Sequence, residues 1–326
     1  MAYTVTVVGS YPRPPREGGE FRLRKTLQAL DRGEASPEDV DAARVALVAE
    51  VLAEQAGAGV ELATDGQVRW DDPLTRLADG LEGFSVSGLL RYFDNNTYFR
   101  QPVVKGPVGR AAPILVEEFR FASEHSAVPV KAVLCGPYTL AALSHDEHYG
   151  DPGALARDLA AALNAEARDL AAAGATVIQF DEPALAAVPG QPPGDLAVLA
   201  AVAPQLVDGI EAATILATYF GDVSAHGPAF FDLPFGGFHL DFVSGPANAE
   251  MVHEFPADRV LQAGIVDARN TKLEPVERLA GSVAELGEAV DPDRLWIAPS
   301  CGLEYLPREA AERKLRRLAD TKARLR

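Results

Sequence analysis

Residues 154–185 read ALARDLAAALNAEARDLAAAGATVIQFDEPAL, and this stretch decides the fold. Its first part, Ala154 to Ala173, is an Ala/Leu-rich helical pattern that stops at Gly174, a residue that favours helix ends. Its second part, Thr176 to Phe180, is a short apolar run that gives way at once to the polar Asp181-Glu182-Pro183. The run is apolar almost throughout instead of alternating, as expected of a strand covered on both faces. Helix, glycine, buried strand and polar strand end together make one unit of a parallel α/β protein.

Seven further runs of the same kind lie on either side: Tyr3 to Val8, Val60 to Thr64, Val130 to Leu134, Thr214 to Tyr219, Gly237 to Phe242, Val260 to Val266 and Leu295 to Ala298. Helical segments separate them. Ser36-Pro37-Glu38-Asp39 is a helix start, with serine at the N-cap and proline at N1, and that helix runs to Gly57 or Gly59. Leu196 to Ala213 and Pro275 to Ala289 are two more. Eight strands with intervening helices predict an α/β fold, a (β/α)8 TIM barrel, as one domain over residues 1–326. An open doubly wound sheet is the alternative, but it calls for a Gly-rich phosphate turn, and neither G-x-G-x-x-G nor a P-loop occurs. Gly83 to Arg110 is too long for a simple connection; its Asp94-Asn95-Asn96 turn between aromatic runs predicts a β-hairpin inserted after strand two.

Of the 326 residues 48% are hydrophobic, enough to build a core and to exclude a disordered chain. No stretch approaches the roughly 18 apolar residues of a spanning helix. The N-terminal MAYTVTVVGS has no basic region or cleavage site, and two cysteines, Cys135 and Cys301, make no disulfide framework, so a cytoplasmic address is expected. Thirty basic against 47 acidic side chains give a net charge of −17, which argues against nucleic acid as a partner. Residues 1–35 (six basic, four acidic) and 83–110 (four basic, one acidic) run against that background and form either a local anion site or scattered solvated charges. The basic tail from Arg308 alternates charge at helical spacing and predicts a solvated helix face.

Barrel chemistry gathers at the C-terminal ends of strands. Asp65, Asp181, Glu182, Asp241 and Asp267 sit at such ends and are expected to converge on one mouth. Like charges so close need a cation among them, an amino group, a metal or both, unless some of the acids merely cap the following helices. Asp181 and Glu182 are the candidate catalytic acids, and Tyr219 and Asp267 candidate substrate contacts. His239 shares a strand face with Asp241, as a metal-ligating pair or a hydrogen-bonded structural one, and Cys301 is either a soft metal ligand or a small buried hydrophobe. H-E-x-x-H, paired C-x-x-C and G-x-S-x-G are all missing.

VGSYPRP, TDGQVRWDD, VKAVLCGPYTL, VIQFDEPAL, GFHLDF and LWIAPSCGLEYLP occur in the order and at about the spacing of cobalamin-independent methionine synthase. The chain resembles one barrel of that family, or its short single-barrel relatives, over nearly its whole length. The resemblance implies a methyltransferase that moves a methyl group from a folate-like or corrinoid donor to a thiol such as homocysteine, with zinc binding the sulfur. It places Ser10 at the amino acid's carboxylate, Asp181 at its ammonium, Gln67 where the family has a second acid, and Arg100 near the folate. Of the family's zinc positions, Thr218 and Phe220 replace a His and a Cys, Asp241 replaces a Glu, and Cys301 is unchanged. A zinc ion would then need an unusual set such as His239, Asp241 and Cys301. Leu143 stands where the pterin ring stacks on a tryptophan. TYFGDV and HLDFV look more like the family's zinc-free N-terminal barrel. Two alternatives follow: a zinc-free barrel doing acid/base chemistry on an amino-acid-like substrate, or a folate- or amino-acid-binding protein that needs a partner subunit. Small molecules are the expected partners, with neither membrane nor nucleic acid, and with a partner protein or second copy as a further expectation.

Overall fold

The computed structural model of the chain describes residues 3–325. Its strands are β1 (Thr4–Val5), β2 (Glu82–Arg91), β3 (Tyr98–Gly109), β4 (Ala132–Cys135), β5 (His145–Asp146), β6 (Val177–Asp181), β7 (Ala213–Ala217), β8 (Gly237–Asp241), β9 (Val260–Val266) and β10 (Leu295–Pro299). Seven form one parallel sheet in the order β1-β10-β9-β8-β7-β6-β4. Parallel bridges Thr6–Leu62 and Ala63–Val130 carry the ring from β1 round to β4, so the eighth position of the barrel is filled.

That eighth position differs from expectation. Val60 to Thr64 pairs only through its two bridges, because side chains take over the ladder. Gln55 holds both the N–H and the carbonyl of Thr64 (3.1 and 2.9 Å), and the Glu61 carboxylate accepts the N–H of Val5 (2.9 Å). The first run, Tyr3 to Val8, is strand only over Thr4–Val5, and the remaining six strands fall within a residue or two of the predicted runs. The helix Pro37–Gly57 has the predicted start: Ser36 accepts from the Asp39 N–H, and Asp39 accepts from the Ser36 N–H. Pro152–Ala172 is the long helix of the deciding stretch and buries Leu155, Leu159, Leu163 and Leu170 against the barrel. The predicted helix from Leu196 stops at Val207, short of Ala213, because Asp208 turns extended and Gly209 takes a φ of 65°.

The inserted hairpin is present as the antiparallel pair β2 and β3, and β5 adds a short parallel strand on Val103 and Val104. Several of the basic residues in the two segments are paired within the chain. Arg16 pairs with Glu54 and Glu312, Arg110 with Glu166 and Asp169, and Arg91 spends its guanidinium on the hairpin turn. The C-terminal helix Arg308–Leu325 likewise corrects the expectation of a purely solvated face. Arg308 is buried on Glu54 (2.8 Å), Lys314 on Glu274 (3.2 Å) and the carbonyl of Lys272 (2.6 Å), and Lys322 on Glu61 (2.6 Å). Among the described residues no helix is long and apolar enough to cross a membrane.

Candidate active site

Strand alternation decides what fills the barrel. At its N-terminal end the filling is apolar: Leu62, Val177 and Ile215, with Val260 and Trp296 against them. One layer up, where a barrel ordinarily carries branched aliphatic residues, the filling is polar. Lys131 donates to Gln179 Oε1 (2.6 Å) and Gln262 Oε1 (3.0 Å). Gln262 Nε2 lies 3.0 Å from His239 Nδ1, and His239 Nε2 lies 3.2 Å from the carbonyl of Ser300. A carbonyl accepts only, so the His239 hydrogen is on Nε2 and the neutral ring accepts at Nδ1. Burial pushes the imidazole down to about 3.

Above this layer Asp181 ends β6. Its Oδ1 accepts from Gln179 Nε2 (2.6 Å) and its Oδ2 from the Tyr219 hydroxyl (3.1 Å), which is also bonded to the hydroxyl of Tyr92. Burial raises the Asp181 carboxyl to about 7, against the pull of the Gln179 bond and Lys131. Asp181 shares a small cavity with Ser10, Gln67, Tyr92, Tyr219, Phe220, Glu304 and Tyr305. Ser10 Oγ donates to Glu304, whose carboxyl burial also raises to about 7. Gln67, at a φ of 52°, lays its amide over Gly9.

The expected convergence of five acids is not observed. Glu182 turns away from the mouth and accepts the N–H groups of Tyr138 (2.8 Å) and Thr139 (2.6 Å), holding the start of helix Pro137–Leu143. It lies so tightly over Gly136 that a Cβ there would stand 2.2 Å from its Oε1. Asp65 accepts from the Gln67 N–H (2.9 Å) and faces Glu118 between barrel and helix, where burial lifts it to about 6. Asp267 closes the turn to Arg269 and Asn270. Arg100 sits exposed on the hairpin, tied by its backbone N–H to Asp72 (3.0 Å).

The expected zinc set does not come together either. Both ring nitrogens of His239 are committed as above. Asp241 accepts the N–H groups of Phe220 (3.1 Å), Val243 and Ser244 (both 2.8 Å), fixing a turn. Cys301 is buried, its thiol is pushed up by burial and by Asp241 and Glu304, and its Sγ lies 3.5 Å from the carbonyl of Gly302. Thr218 bonds the carbonyl of His239 (3.2 Å). Among the described residues no three His, Cys, Asp or Glu side chains gather as a metal requires, so the residues present do not fit a zinc ion.

Three features escaped the sequence reading: Lys131, Glu304 and an aromatic roof. Phe220 takes a left-handed φ of 74°, and its ring meets those of Tyr219 (4.7 Å), Phe93 (5.6 Å), Tyr92 (5.9 Å) and Tyr305 (6.0 Å between centroids). Arg269 lies 5.6 Å over the same ring and pairs with Asp94 of the hairpin tip (3.0 Å). Under this roof the cavity measures about 10 Å³, room for about one water. The Asp94 turn and the LEYLP segment were visible signals, but nothing in local sequence says that the hairpin tip folds back over the mouth.

Comparison with known proteins agrees with this architecture. The chain is 34% identical over 314 residues to a methionine synthase of Saccharolobus solfataricus, covering 95% of this chain and 91% of the relative. It is 33% identical over 312 residues to one of Sulfurisphaera tokodaii, covering 95% and 88%. Among solved structures, a B12-independent methionine synthase from Shewanella sp. W3-18-1 in complex with selenomethionine superposes with a TM-score of 0.83 at 21% identity, covering 100% of this chain and 98% of that one. A putative vitamin-B12 independent methionine synthase from Listeria monocytogenes gives 0.79 at 17% identity, covering 100% and 99%. Residues 3–323 match the family described as the catalytic domain of cobalamin-independent synthase. The chain therefore belongs to the cobalamin-independent synthase family and is a methyltransferase of that family.

Proposed function

We propose that this barrel moves a methyl group onto the sulfur of an amino-acid thiol of the homocysteine type, seated by its ammonium group on Asp181. The observation that carries the reading is Asp181 itself: a buried carboxylate at the end of β6, aimed into the mouth by Gln179 and Tyr219, in a chain of this family. Glu304 faces the same cavity and supplies a second acid where Gln67 has none to offer. Two carboxyl groups this close and this buried favour a cationic guest, because an ammonium group between them relieves both the desolvation and the mutual repulsion.

In the transfer, the sulfur gives up its proton to solvent and attacks the methyl carbon, the carbon–sulfur bond forms as the bond to the donor breaks, and the donor leaves with that electron pair. A thiol is a poor nucleophile until it is ionised. The donor is a folate-like or corrinoid methyl compound. The test is methylation of L-homocysteine with methyltetrahydrofolate (mono- and triglutamate) and with methylcobalamin, each with and without chelator. Methionine formation that Asp181→Asn abolishes supports the reading; no methionine from any donor overturns it. A second reading, acid/base chemistry on an amine-bearing substrate, is favoured by the dismantled zinc set, and it expects turnover that survives both chelation and Cys301→Ala.

A further inference from the structure

Lys131 is buried at the centre of the barrel, yet among the described residues no carboxylate touches it; its bonds go to the amide oxygens of Gln179 and Gln262. A buried ammonium group is costly unless it is matched by charge. An amide has one acceptor end and one donor end, so an oxygen committed to Lys131 obliges the nitrogen of Gln179 to point away, and it points at Asp181 Oδ1 (2.6 Å) and at the carbonyl of Val8 (2.8 Å). Lysine, amide and carboxylate thus lie in one polarised row ending in the mouth. The ionisable groups facing Asp181 are Tyr92, Cys135, Glu182, Tyr219, Glu304 and Lys131, and of these Lys131 alone is basic. Facing Lys131 beyond the two glutamines is His239, which is neutral.

We propose that Lys131, acting through Gln179, is a positioning residue that keeps Asp181 ionised and aimed at the mouth at neutral pH, and so gives the site its preference for substrates carrying an ammonium group. The inference rests on the reading of Asp181 as the ammonium seat. Burial pushes Lys131 down and Asp181 up, the attraction between the two opposes both shifts, and loss of the lysine leaves the carboxylate with only acidic and neutral neighbours.

The experiment compares binding of L-homocysteine with that of 4-mercaptobutanoate, the same thiol acid without its amine, by equilibrium dialysis from pH 6 to pH 8.5. Wild type is expected to prefer homocysteine across the range. In Lys131→Met, an apolar replacement of similar length, that preference falls at least tenfold at pH 7 and returns toward the wild-type value by pH 8.5, as the higher pH ionises Asp181 without help. Gln179→Met, which keeps the lysine and cuts the row, moves the same way, and it carries the test if Lys131→Met fails to fold. A preference that follows wild type at every pH in the folded variants, or an equal loss for both thiols, overturns the proposal. If wild type shows no preference for homocysteine, or Asp181→Asn keeps it, the ammonium seat itself is refuted, a result distinct from failure of the lysine's role.

Discussion

Asp181 and Glu304 each carry a burial penalty, and that of Glu304 makes stability depend on pH. Its carboxyl titrates near 7 in the folded chain against about 4.5 when exposed. Between those values the unfolded chain has released its proton and the folded chain has not, so stability falls as pH rises through the window, and above about 7 the whole cost is borne. Glu304→Gln keeps an acceptor for Ser10 and removes the charge. It should raise the unfolding free energy by an amount on the order of 3 kcal/mol at pH 8, taking about 1.4 kcal/mol per pKa unit, and by almost nothing at pH 4; thermal melts at the two pH values check this. Asp181 was legible in the sequence because a polar residue ending a buried strand stands out. Glu304 and Lys131 were not, since their partners Ser10, Gln179 and Gln262 lie 294, 48 and 131 residues away. For Glu182, the neighbouring Asp181 suggested a shared role, but successive residues at a strand end face opposite ways, and Glu182 serves a helix instead.

At the scale of elements, the hairpin is the piece that distinguishes this mouth. Its tip is held by one partly exposed ion pair, Asp94 with Arg269, and by ring contacts to Phe220. A pair of that exposure contributes about 0.5 to 1 kcal/mol. Asp94→Ala should therefore raise the population of lifted tips a few-fold, seen as faster amide hydrogen exchange over residues 92–97 with little change in the barrel strands; unchanged exchange would show that the rings alone hold the tip. The hairpin was legible because its turn residues sit between β-rich runs. Its docking was not, since edge-to-face ring contacts leave no periodic trace. The strands were legible for the converse reason: burial on both faces writes an apolar run. The exception, residues 60–64, shows side chains of Gln55 and Glu61 doing what a backbone ladder does elsewhere, which propensity does not record.

For the whole molecule, the basic C-terminal helix acts as a brace across the least regular part of the ring. Lys322 grips Glu61, which in turn holds Val5, while Arg308 grips Glu54 on the helix leading into that segment. Lys314, fully buried on Glu274, is the most deeply buried of these posts. Removing one partner of a buried pair strands the other, so Lys314→Ala should cost about 3 to 5 kcal/mol, and Lys314→Met with Glu274→Gln markedly less, as read by urea unfolding. Charge alternation in the sequence showed a helix here, but which of its basic residues turn inward depended on acids more than two hundred and fifty positions away for Glu54 and Glu61.

The roof over the mouth has a consequence for how fast the protein works. Ligand clefts commonly enclose about 300 to 1,000 Å³, and this one, shut, encloses about 10 Å³. Arrival by diffusion is then useless to a molecule that finds the door closed. Capture waits on spontaneous opening, so the observed association rate levels off at the opening rate however much substrate is supplied, and the measured affinity is weakened by the fraction of time the mouth stands open. The same door, once shut behind a guest, slows its escape and keeps solvent out of the mouth.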